Sequence, residues 1–244
     1  MNEKDTSEGT LRRRLLTAGA GWGALVLASA CAGPNTGKPA TPEGKSGGAG
    51  EEEEVSPAED LMREHGVLER ALLVYEAASA RFDHGDLSAV ATVAKTATLL
   101  RRFIEDYHEK LEEQYVFPRV AAAGKLTDLV ATLKAQHDRG RALTDQILQI
   151  TQPGSGSSPA AEPLSGLLRA YIRMYRPHAA REDTVLFPAF KEVVRGREYD
   201  ELGERFEEKE HALFGEHGFE SVVQEIGTLE EALGIGDLAS FTPH

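Results

Sequence analysis

Two stretches of equal length decide the fold: Y-H-E-K-L-E-E-Q-Y-V-F-P at residues 107–118 and P-H-A-A-R-E-D-T-V-L-F-P at residues 177–188. Each carries a histidine, a glutamate four residues later, an acid directly after that, and Phe-Pro at the same offset. On a helix, positions four apart share a face. His108 therefore stands over Glu112, and His178 over Glu182. Both histidines also lie inside apolar stripes. One runs Val93, Ala97, Leu100, Ile104, His108, Leu111, Tyr115; the other runs Leu164, Leu167, Tyr171, Met174, His178, Glu182, Val185. Such spacing marks a helix with one buried face.

Two more helices complete the set. Ser56-Pro57-Ala58-Glu59 is an N-terminal capping box with proline in the first turn. The stripe after it is Leu61, His65, Leu68, Leu72, Tyr75. A second helix is expected from near Asp86 to Phe117-Pro118, because proline disfavours helix in the residue before it. A third is expected over about 126–150, with His137 between Leu133 and Gly140. Residues 151–163 read as a flexible loop. The fourth helix is expected to end at Phe187-Pro188, with a kink at Pro177 beside His178. His65 and His137 lie 72 residues apart, and His108 and His178 lie 70 apart. A helix with His, then a helix with His-x3-Glu, occurs twice. Two such αα-hairpins make an all-α, up-down four-helix bundle.

A lone histidine on an apolar face is ordinarily a hydrogen-bonded core residue. Four helices that each bring one inward, two with a glutamate, are a different matter. Burying those groups without partners costs several kcal/mol for each charge. A cation removes the penalty by making each group a ligand. Four imidazoles and two carboxylates exceed one tetrahedral zinc. They suit two ions about 3.5–4 Å apart, bridged by the glutamates. Imidazole with carboxylate and no thiolate suits iron or manganese. Ile104, Leu111, Met174 and Val185 are expected to line the apolar cavity around the pair.

Composition narrows the classes further. The chain has 244 residues, 41% of them hydrophobic, enough for a core, and a net charge of −13. Residues 1–31 hold four bases and three acids, so the remainder carries −14. That argues against nucleic acid as a partner. A single cysteine, Cys31, leaves no internal disulfide framework and no cysteine-based metal site. Residues 11–31, L-R-R-R-L-L-T-A-G-A-G-W-G-A-L-V-L-A-S-A-C, show signal-peptide organisation. The Arg12-Arg13 pair resembles a twin-arginine export signal. L-A-S-A-C resembles a lipoprotein cleavage box with Cys31 as the lipidated residue, although Ala28 replaces the usual leucine. Ala28-Ser29-Ala30 also fits ordinary signal cleavage. The membrane is thus expected as a partner through a lipid anchor only. Residues 32–55 read as a disordered tether, rich in glycine and proline and ending in an acidic run.

These motifs resemble the hemerythrin-like (HHE cation-binding) family over about residues 57–190. The resemblance implies a four-helix bundle at 56–190 with a non-haem di-iron centre, oxo- or hydroxo-bridged, that binds dioxygen or a related diatomic such as NO. Carried over by position, the ligands are His65, His108, Glu112, His137, His178 and Glu182. Oxygen-carrying hemerythrins have a second histidine one turn after the third-helix ligand, where Arg141 stands here. They also have an aspartate five residues after the last histidine. Asp183 holds that offset, while Glu182 takes the bridging role. The chain is therefore more similar to the His-x3-Glu bacterial and sensor-type branch, which implies a more open and more readily oxidised ion. Glu109 is read as a solvated neighbour, with extra ligation as its alternative. Residues 191–244 resemble a C-terminal helical extension of such proteins, with His211 and His217 on its surface. His84 is placed in an exposed turn. The functions left open are a binder of diatomics, a sensor of iron or redox state, a di-iron enzyme turning over peroxide or NO, and an iron store or donor.

Overall fold

The computed structural model describes residues 55–151 and 160–243. The signal segment, Cys31, nearly all of the tether and most of the 151–163 loop lie outside them. Among the described residues there are six helices and no strand. They are α1 (Pro57–Asp83), α2 (90–122), α3 (Thr127–Thr151), α4 (161–193), α5 (Arg197–Phe214) and α6 (Gly218–Ala232), followed by a 3-10 turn at Leu238–Phe241. None is long and apolar enough to cross a membrane.

Helix α1 begins as its sequence dictates. The Ser56 hydroxyl accepts from the Glu59 amide, and the Glu59 carboxylate accepts from the Ser56 amide at 3.1 Å. Helix α2 starts later than the expected Asp86. That carboxylate instead accepts from the Ser88 amide at 2.9 Å. Such a local turn competes with helix, so the helix opens only at Val90.

The two Phe-Pro pairs do not stop their helices. Residues Glu112–Val116 and Glu182–Leu186 are π-helical, and α-helix resumes at Phe117–Ala122 and Phe187–Val193. A wider turn ahead of each proline relieves the clash of its ring with the carbonyl behind it. The wider turn also shifts the buried face by one residue. Val116 and Leu186 face the core, Tyr115 is half-buried, and Val185 is 37% exposed. Val185 is therefore no part of the cavity lining, and Met174 is only half-buried against the core. A longer π-helical run, Leu100–His108, lies in the middle of α2. Pro177 sits within α4 with its ring toward solvent.

In the bundle α1 packs on α2 and α4, and α3 packs on the same two helices. This is the up-down arrangement. Helices α5 and α6 lie against α1, and α6 also reaches α2. Leu202, Phe206, Val222, Ile226, Leu229 and Leu233 are buried there. The buried interior is continuous from Leu61 to Leu233, and its middle layer is polar.

Candidate metal centre

That polar layer comes from the anomalous positions of the four stripes. His65 on α1 and His108 on α2 point their Nε2 atoms at each other, 3.1 Å apart. His137 on α3 and His178 on α4 do the same at 3.2 Å. Two nitrogens about 2.1 Å from one ion and at right angles to each other lie about 3 Å apart, so each pair has the spacing of two ligands of one cation. Glu112 lies 3.6 Å from His108 and 3.4 Å from His137. Glu182 lies 3.0 Å from His178, 3.4 Å from His65 and 3.9 Å from His137. Each carboxylate thus faces imidazoles of both pairs. Two groups result, His65–His108–Glu112 and His137–His178–Glu182, each with its donor atoms within 4.8 Å of one another. All six side chains are buried.

All four carboxylate oxygens of Glu112 and Glu182 are buried without a hydrogen bond. An unsatisfied buried charge is expensive, and a pair of cations between these residues would satisfy every one of these oxygens. Burial and the charge of Glu182 push the Glu112 carboxyl well above its usual range. Burial also opposes ionisation of Glu182, but the imidazoles of His178 and His65 outweigh it and hold its carboxyl below the usual range. Burial depresses His108 and His137. It works against charge on His65 too, yet Asp183 and Glu182 raise that imidazole to about 9. The residues fit two metal ions by donor type, spacing and unmet charge.

The other nitrogen of each ring is held as well. His108 Nδ1 lies 2.7 Å from Glu64, and His65 Nδ1 lies 2.7 Å from Asp183. His137 Nδ1 lies 3.2 Å from Glu113, and His178 Nδ1 lies 2.8 Å from the Gln136 side-chain oxygen. Such partners fix ring orientation and ligand basicity. Sequence reasoning missed Glu64, Glu113 and Gln136 in this role. The signal was present, because each flanks a candidate ligand on its own helix and reaches across to the ring of the next. The phenylalanines of the two Phe-Pro pairs serve the same end. Phe187 stacks on His65 at 5.6 Å and Phe117 on His137 at 5.4 Å.

Glu109 is not a solvated neighbour. It is buried, accepts from the Tyr175 hydroxyl at 2.7 Å and pairs with Arg141 at 2.6 Å. Burial raises its carboxyl to about 8, Arg141 notwithstanding. The Arg141 guanidinium also reaches Glu113 at 2.7 Å. Glu109, Glu113 and His137 form a further group with metal-like spacing, and Arg141 supplies a positive charge there. His217 is exposed and His211 half-buried, both apart from the centre, and His84 is exposed.

The model of the hemerythrin HHE cation-binding domain matches residues 56–190. The chain belongs to this family. The chain is similar to uncharacterized proteins of Mycobacterium bovis and Mycobacterium tuberculosis, 47% identical over 95% of this chain and 91% of theirs. No solved structure matches. The family's cation binding agrees with the two His/Glu groups in the middle of the bundle.

Proposed function

We propose that this hemerythrin-type chain is an exported di-iron protein that binds dioxygen or another small diatomic such as NO. In this reading His65, His108 and Glu112 would hold one iron, and His137, His178 and Glu182 would hold the other. The observation that carries it is the set of four buried, unbonded carboxylate oxygens between two facing histidine pairs. Bound iron would supply a redox-active Lewis acid with coordination positions left for a small ligand. The chain's own part is to hold the rings by their Nδ1 atoms and to wall the centre with Phe117 and Phe187. Export rests on the Arg12-Arg13 signal, and anchoring on acylation of Cys31.

Turnover of peroxide or NO is the second reading. The buried Tyr175–Glu109 hydrogen bond, on a ring 5.4 Å from that of His178, favours it by placing a proton donor near the centre. Metal analysis and absorption spectra of the reduced, then air-exposed, protein separate these readings. Two irons per chain with a reversible oxygenated band support binding. Two irons with rapid autoxidation and peroxide consumption support turnover. More than two irons, readily lost to chelators, indicate storage. Unchanged metal content in both His108→Ala and Glu182→Ala defeats the ligand set. Mass analysis of the mature N-terminus tests for a diacylated Cys31.

A further inference from the structure

The two hairpins place equivalent residues around equivalent rings, and one equivalence is broken. Glu64 precedes His65 and holds His108; Gln136, 72 residues on, precedes His137 and holds His178. Asp183 follows Glu182 and holds His65; Glu113 follows Glu112 and holds His137. The first pair of rings therefore rests on two carboxyl groups, each at 2.7 Å. The second rests on a neutral amide and on one carboxylate at 3.2 Å. That carboxylate is already shared with Arg141 at 2.7 Å and Lys110 at 2.6 Å.

The wider surroundings differ in the same sense. Glu64 lies in a buried acidic group with Asp60 and with Glu210 of α5. Behind His137 the carboxyl groups of Glu113 and Glu109 are instead both paired with the half-buried Arg141 guanidinium. A carboxylate behind an imidazole raises its basicity as a ligand, and changes at such partners alter metal affinity about 10–100-fold. Acidic neighbours favour a cation and a guanidinium opposes it, more so away from water.

We propose that the two metal positions are unequal by construction. The His65–His108 position retains its ion, and the His137–His178 position exchanges its ion with the surroundings. The inference deepens the di-metal reading and rests on it. It gives the chain a one-ion form that accumulates as free iron falls, and so a means of registering iron supply. Gln136 and Glu64 are the positioning residues that set the difference.

The test is anaerobic titration of the full chain with ferrous iron, followed by withdrawal with chelators of graded strength. The expected result is one ion per chain lost first, with the two dissociation constants at least about tenfold apart. Gln136→Glu, a near-isosteric change at a half-buried position, should tighten the labile ion by about tenfold or more and leave the other unchanged. Glu64→Gln should loosen the retained ion by a similar factor. Far-ultraviolet circular dichroism checks that both variants fold. Two ions that leave the unaltered chain together, or a Gln136→Glu chain whose labile ion is no tighter, overturn the inference while the di-metal reading stands. Saturation at fewer than two ions overturns both.

Discussion

Fifteen of the 27 residues of α1 are buried, against seven of the 25 of α3, although both deliver one histidine to the same layer. Helix α1 touches α2, α4, α5 and α6, whereas α3 packs chiefly on α2 and α4. The C-terminal extension is fastened to the first hairpin. The Tyr199 hydroxyl accepts from the Ala58 amide at 3.3 Å, Arg70 pairs with Glu230, and Arg81 donates to the Leu233 carbonyl at 2.9 Å. Helix α5 also brings Glu210 to Asp60 and Glu64 behind His108. The comparison teaches that an internal repeat fixes which residues meet in the centre. What packs outside it fixes the environment of each half.

The largest expected effect touches both halves alike. With free iron at about a thousand times each dissociation constant, stripping both ions should lower unfolding free energy by about 8 kcal/mol, about 4 kcal/mol for each. Thermal unfolding with and without chelator measures it. Equal midpoints would mean that Glu112 and Glu182 are compensated by something other than cations. Next, the difference in burial can be probed directly. Leu72→Ala, fully buried on α1, should cost about 3 kcal/mol, and Leu129→Ala, half-buried on α3, about 1 kcal/mol. Equal losses in urea unfolding would erase the contrast.

A smaller effect tests a place where α3 and α4 pack closely. A Cβ at Gly140 would stand 1.8 Å from the Tyr175 hydroxyl oxygen. Gly140→Ala should therefore cost about 1–3 kcal/mol by displacing that ring. The Gly140→Ala/Tyr175→Leu double variant should lose less than the sum of the single changes. Strict additivity would show that the ring does not fill the gap left by the glycine. Least of all, His217→Ala at an exposed position should change stability by under about 0.5 kcal/mol and leave metal content unchanged. A loss of iron in that variant would extend the site into the C-terminal extension.

The bundle was legible because a helix period and a capping box are local properties, and Ser56-Pro57-Ala58-Glu59 forms the cap it spells. The inward positions of His65, His108, His137 and His178 were legible because each interrupts an otherwise apolar stripe. The Phe-Pro pairs were misread as stops because proline rules assume α-helical width, and the π-helical turns at Glu112–Val116 and Glu182–Leu186 change it. The same widening misplaced Val185. Glu109 was misread because a carboxylate beside a ligand is ordinarily solvated. Here Tyr175 and Arg141, distant in sequence, make its burial tolerable.

Periodicity and spacing alone determined that four helices would bring four imidazoles and two carboxylates to one level, since the face a residue occupies follows from its position along its own helix. Only the tertiary structure decided which nitrogen of each ring looks inward and what stands behind it. Those partners come from neighbouring helices, and their reach depends on how the helices pack. Glu64 against Gln136 is a difference of one atom in the sequence; it acquires meaning only when each is seen 2.7–2.8 Å from a ring on another helix.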